Sequence, residues 1–152
     1  MAKEIERKFL LRSDIPTNTI LEGGTRIVQG FLSKDPLVRV RLRGRHLAYL
    51  TIKGPGTLVR DEFEYEIPRG DGEQLIKMCP KTIIKVRHQF SYEGRVWALD
   101  DFQGSLDGFR MAEVEIESQF ATVEIPPWLG PEVTGDPRYS NVRLIDDGVP
   151  LV

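Results

Sequence analysis

Cysteine is almost missing from this chain. Cys79 is the one thiol among 152 residues, so no internal disulfide and no cysteine zinc site can form, and a buried structural thiol is the expectation. No apolar run approaches the roughly 20 residues that span a bilayer, and the N-terminus lacks the apolar core of a secretory signal. The formal net charge is -2, which gives no global basic signal for nucleic acid or for an anionic membrane. Repeats, low-complexity tracts and linkers are lacking, so one domain over residues 1–152 is expected, in the cytoplasm. Two hydrolase signatures are also missing: a glycine-rich phosphate loop leading into lysine and Ser/Thr, and a Ser-His-Asp order.

What is present is charge in rows of two. The composition is ordinary, 40% hydrophobic and 29% charged, but its arrangement is not. "KEIERKFLL" alternates Glu4, Glu6 and Lys8 with Ile5, Arg7 and Phe9. "LVRVRLR" sets Arg39, Arg41 and Arg43 against Val38, Val40 and Leu42. "LTIKG" pairs Thr51 with Lys53, with Tyr49 on the same face. "RDEFEYEIP" puts Arg60, Glu62, Glu64 and Glu66 opposite Phe63, Tyr65 and Ile67. "TIIKVRHQF" sets Lys85 and Arg87 against Ile84 and Val86. "VWALDDF" places Asp100 opposite Trp97 and Leu99, and "AEVEIES" places Glu113, Glu115 and Glu117 opposite Val114 and Ile116. With "TRIVQGFLS" these make about eight strands, a common closed-barrel number. "RGRH" and "YEGR" read as hairpin turns and "KGPG" as a breaker. Short helical pieces are expected at "SDIP", at "GDGEQLIKM" after Pro68, at "PPWLG", and at "DPRYSNVRLI", where Pro137 follows Asp136.

Two readings fit these rows. Like charges at i and i+2 lie roughly 6.6–7 Å apart on one face, and on an exposed strand their repulsion is small. An ordinary β-sandwich or barrel with its charges outside therefore accounts for the alternation. It does not account for the segregation of sign: the row at Glu113, Glu115 and Glu117 is wholly acidic and the row at Arg39, Arg41 and Arg43 wholly basic. Segregated rows suit a cation and an anion held together, as in a polyphosphate with a divalent metal, because carboxylates bind hard cations and arginine binds phosphate bidentately. The pattern alone leaves both readings open.

"EIERK", followed in order by "VQGFL", "VRVR", "LTIKGPG", "RDEFEYEIP", Lys85-Val86-Arg87, "WALDDFQG", "AEVEIES" and "PPWLGPEVTGDPRYSN", resembles the CYTH domain, or triphosphate tunnel metalloenzyme, family over nearly the whole chain. The short length and the "GDPRYSN" ending resemble its compact bacterial branch. The resemblance implies a mainly β (α+β) fold: a closed eight-stranded antiparallel β-barrel tunnel with a charged interior and a few short helices. It implies metal at Glu4, Glu6, Glu62, Glu64, Asp100, Glu113 and Glu115. Phosphate would be held by Lys8, Arg39, Arg41, Lys53, Lys85 and Arg87, with Arg43 and Arg60 outside that set. The catalytic group would be Lys8 with Glu4, Glu6 and Glu115, working with Mg²⁺ or Mn²⁺. Tyr139, Ser140 and Asn141 would pack at a tunnel mouth. One departure is visible: the family often reads Lys-x-Arg-Tyr where this chain has His88, which alternation turns outward. His46 falls at a turn.

The implied activity is hydrolysis of the terminal phosphate of inorganic triphosphate. Class IV-type adenylate cyclase and nucleoside or thiamine triphosphatase are alternatives within the same fold. A polyphosphate- or nucleotide-binding module without turnover is the alternative of another class. The expected partner is a small triphosphate, with no nucleic acid and no membrane, acting on a monomer or homodimer.

Overall fold

The computed structural model describes residues 3–11, 14–56 and 59–150; for residues 3 and 4 it describes the backbone alone. Nine strands are found among them: β1 Lys3–Leu11, β2 Glu22–Lys34, β3 Leu37–Arg43, β4 Leu47–Lys53, β5 Val59–Ile67, β6 Thr82–Tyr92, β7 Arg95–Gln103, β8 Arg110–Glu115 and β9 Leu129–Glu132. Two α-helices accompany them, α1 Arg69–Lys77 and α2 Asn141–Asp147. The strands run β5-β4-β3-β2-β6-β7-β8-β1, all antiparallel, and β1 also pairs with β5. The sheet therefore closes into an eight-stranded barrel. On the β1 edge shared with β5, pairing passes from Lys3–Ile5 against β5 to Phe9 and Leu11 against β9.

Local chemistry explains the connections. The β6–β7 turn carries positive φ at both Glu93 (47°) and Gly94 (79°), the two-residue hairpin geometry that matches strand twist. Helix α1 follows Pro68 and lies against the outside of β3 and β4. It approaches so closely that a Cβ at Gly72 would stand 2.5 Å from Ala48 Cβ, a position only glycine can fill. "PPWLG" was expected to be helical; instead it leads through a turn into β9, because Leu129–Glu132 finds the free edge of β1. The "SDIP" expectation falls partly on residues outside those described; residues 14–16 carry no helix. The "DPRYSNVRLI" segment is a 3-10 turn, Pro137–Tyr139, followed by α2, with Ser140 Oγ accepting from Arg143 N. Cys79 is half-buried.

Two apolar clusters lie on opposite faces of the sheet. Phe9, Phe90, Trp97, Leu99, Val114 and Ile116 face outward and are covered by Ile15 and by Val123, Ile125 and Trp128. Phe90 stacks on Trp97 at 6.0 Å, and Phe9 tilts against it at 5.6 Å. The second cluster is on the inner face. Leu10, Ile83, Phe102 and Met111 continue the rows of Lys8, Lys85, Asp100 and Glu113 by two residues, and they pack with Val133, Tyr139 and Leu144 from the C-terminal segment. One end of the barrel is therefore filled with hydrocarbon, and the charged rows begin directly above it.

Candidate active site

A cavity of about 370 Å³ opens inside the barrel. Each strand contributes to it every second residue: Glu6 and Lys8 from β1, Arg39 and Arg41 from β3, Lys53 from β4, Glu62 and Glu64 from β5, Arg87 and Gln89 from β6, Glu113 and Glu115 from β8. The charges point inward, which decides between the two readings that the period-two pattern left open. Antiparallel pairing orders these groups by depth. The positions next to the plug are basic or paired with base: Lys8, Arg39, Lys53 and Lys85. Glu64, Glu115 and Gln89 stand farther out.

The basic wall is held by neutral acceptors as well as by acids. Arg39 Nη2 donates to Thr51 Oγ1 at 3.3 Å, and Arg41 Nε donates to the buried Gln29 Oε1 at 3.0 Å. Burial, together with the neighbouring cations Arg39 and Arg87, lowers Arg41 to about 9. The wall thus stores cation–cation repulsion that an entering polyanion would relieve.

Asp100 anchors the deepest part. Its Oδ2 accepts from Lys85 Nζ at 2.6 Å, while Arg87 donates through Nε (2.7 Å) and Nη2 (2.8 Å) in a bidentate fork. Burial opposes the carboxylate charge, but Lys85 and Arg87 overcome it and hold Asp100 below the usual carboxylate range. Arg87 is likewise desolvated, yet Asp100 keeps it charged and moves it above its ordinary value. Lys85 is the weaker claimant: burial outweighs Asp100 and lowers it to about 7. Lys85 and Asp100 are fully buried, at 0% and 1% side-chain exposure, whereas Arg87 reaches the cavity and lies 3.6 Å from Glu113.

The acidic side is built by the β1–β8 register. Glu6 is directly opposite Glu115, and Lys8 directly opposite Glu113. Facing residues have Cβ atoms about 5 Å apart, where two like charges destabilise a sheet. Lys8 Nζ, 3.5 Å from Glu6 Oε1, offsets part of that repulsion, and a divalent cation held by Glu6 and Glu115 would offset more, since carboxylate oxygens are the donors a hard cation prefers. No three acidic, His or Cys side chains among the described residues converge as a closed cage. Two carboxylates instead suit an ion that keeps much of its water shell.

The structure thus brings together Glu6, Lys8, Arg39, Arg41, Lys53, Glu62, Glu64, Arg87, Glu113 and Glu115. It sets Lys85 and Asp100 behind the wall, bound to each other, rather than in the cavity. The side chain of Glu4 lies outside the described residues; its backbone continues β1 opposite Arg60. Glu62 is 3.6 Å from Lys53. Glu117 leaves the row altogether and pairs with Arg95 on the surface. Sequence reading missed Gln29 and Thr51 as supports of the arginines. Their signal was available: each is a neutral polar residue at an inward position in register with the arginine it binds.

The CYTH domain family model matches residues 2–145. The chain is 42% identical over 150 residues to an inorganic triphosphatase of Acetivibrio thermocellus, covering 95% of this chain and 94% of that one. It is 35% identical over 153 residues to an inorganic triphosphatase of Nitrosomonas europaea, covering 93% and 95%. A crystal structure of an inorganic triphosphatase superposes with a TM-score of 0.67 at 31% identity, covering 95% of each chain.

Proposed function

The chain belongs to the CYTH domain family, and on that premise we propose that it is an inorganic triphosphatase, hydrolysing the terminal phosphoanhydride bond of tripolyphosphate inside the barrel. The observation that carries this reading is one cavity with cations clustered toward its closed end and an opposed carboxylate pair, Glu6 and Glu115, beside them. In our reading the whole chain acts as one tunnel domain, in the cytoplasm, as a monomer or homodimer and without nucleic acid or membrane.

Phosphoryl transfer asks the protein mainly to place charge. Lys8, Arg39, Arg41, Lys53 and Arg87 neutralise the phosphate oxygens and fix the chain of three phosphates along the wall. Glu6 and Glu115, with Glu4, would hold Mg²⁺ or Mn²⁺, which supplies Lewis-acid stabilisation of the phosphate oxygens when bound. Glu113, 3.6 Å from Arg87 and in register with Lys8, orients Arg87 toward the substrate. Glu62 does the same for Lys53. The inner face offers few aromatic surfaces for a base to stack on. Tyr49, in register with Arg41, is the inward aromatic of β4.

A phosphate-release assay with tripolyphosphate and ATP, each with Mg²⁺, Mn²⁺ and excess chelator, tests the proposal. The expected result is metal-dependent release from tripolyphosphate, with kcat/KM well above that for ATP. Glu6→Gln and Glu115→Gln should each lose most turnover while remaining folded. Full activity in chelator, or preference for ATP, overturns the reading.

A further inference from the structure

Asparagine at position 141 is out of place on the helix that carries it. In α2, residues 141, 144 and 145 share one face. Leu144 on that face is buried in the inner apolar plug, and Ile145 packs against it. Simple amphipathic patterning asks for a hydrocarbon at 141. The chain instead supplies an amide whose Oδ1 is buried without a hydrogen-bond partner among the described residues. The same side chain lines the charged cavity.

The placement is firm. Ser140 Oγ donates to Pro137 O at 2.9 Å and accepts from Arg143 N at 3.3 Å, which fixes the start of the helix. Lys34 and Asp146 form an ion pair near its other end. Leu144 then sets the rotation of the helix, so Asn141 is turned to the cavity just above the plug. That level holds Lys8, Arg39 and Lys53 on the strands. A buried amide oxygen left unpaired costs stability, so an amide kept there in place of a hydrocarbon calls for a use.

We propose that Asn141 is a substrate-contacting residue that completes the closed end of the site around the innermost phosphate group. Its Nδ2–H donates to an oxygen of that phosphate, while its Oδ1 stays turned into the protein, away from the anion. The C-terminal segment then does more than plug the barrel: near the plug it delivers a neutral, directional contact to a wall otherwise made mostly of charged groups. This inference rests on the triphosphatase reading, and its test separates the two.

Asn141→Leu keeps the size of the side chain and removes the amide. The expected result is a kcat/KM for tripolyphosphate about ten- to a hundredfold lower, the factor expected for one hydrogen bond to a charged group, mainly through KM, with a melting temperature equal to or above that of the parent protein. The rise in melting temperature on adding tripolyphosphate in chelator, where no turnover interferes, should shrink in parallel. Asn141→Asp, which presents a carboxylate to the anion, should shrink it further and serves as the second test if the leucine variant folds poorly. Parent-like kcat/KM and ligand-induced stabilisation in both variants overturn the proposal, as does a loss of activity matched by a loss of stability. If the parent protein itself hydrolyses no tripolyphosphate, the triphosphatase reading fails, while the stabilisation arm still decides whether Asn141 contacts the anion.

Discussion

Asp100 shows what alternation can and cannot say about a single residue. The "VWALDDF" pattern puts it on the charged face, and it is on that face. Grouping it with the metal carboxylates required its depth, and depth is set by register across four strands, which period two does not contain. At its actual level Arg87 stands directly opposite, and Lys85 is within 2.6 Å. The same reasoning ranks two substitutions. Asp100→Asn leaves the buried Lys85 and the cavity-lining Arg87 without their shared counter-charge and should cost about 3–5 kcal/mol of stability. Lys85→Met removes an ammonium already pushed down to about 7, while Arg87 still satisfies Asp100 through two hydrogen bonds, so it should cost much less. Urea unfolding of the two variants beside the parent protein checks the order, and equal losses would refute the assignment of Arg87 as the main partner.

At the level of elements, the strands were legible because each buries its two faces against chemically different surroundings. The segment 126–132 was less so. "PPWLG" carries turn and helix signals, and what makes Leu129–Glu132 a strand is the edge of β1 left open where β5 departs. Side chains then lock that late addition. Arg7 donates to both carboxylate oxygens of Glu132 at 2.8 and 2.6 Å, and Thr134 Oγ1 donates to Glu132 while accepting from Lys8 N. The hydrogen bond from Arg7 holds Glu132 below its ordinary value. A carboxyl lowered in the folded state stabilises fully above its unfolded value, about 4.3, and loses that contribution as pH falls through the folded value. Because the pair is partly exposed, Glu132→Gln should cost no more than about 1 kcal/mol at pH 7. The difference between variant and parent should vanish below the ordinary Glu range. A difference that persists at pH 3 would mean that the glutamate acts through packing rather than charge.

For the whole molecule, the eight strands of the barrel could be read from sequence, but the direction of the charges could not, since turning every strand inside out preserves the alternation. What fixes the direction is material outside the strands. Ile15, Val123, Ile125 and Trp128 cover the outer apolar face, and Val133, Tyr139 and Leu144 fill the inner face at one end. Charges left inside a closed barrel then have each other and a ligand as partners. The plug narrows one end of the cavity, where a smaller cavity of about 200 Å³ beside residues 133–137 shares Glu6 and Lys8 with it, so a phosphate chain that enters through the wider mouth near Glu64 and Glu115 should seat its leading end against Lys8, Arg39 and Lys53. A triphosphate capped by a nucleoside at one end can still offer a free terminal phosphate. One capped at both ends cannot, and it forfeits several charged hydrogen bonds at the closed end. At about 1.5–3 kcal/mol each, losing two or more should lower kcat/KM over a hundredfold. Comparing tripolyphosphate with a dinucleoside triphosphate under the same metal conditions measures this. Comparable efficiencies would show that substrate passes the plug, and Leu144→Ala, which thins it, should then accelerate the doubly capped substrate rather than merely destabilise the fold.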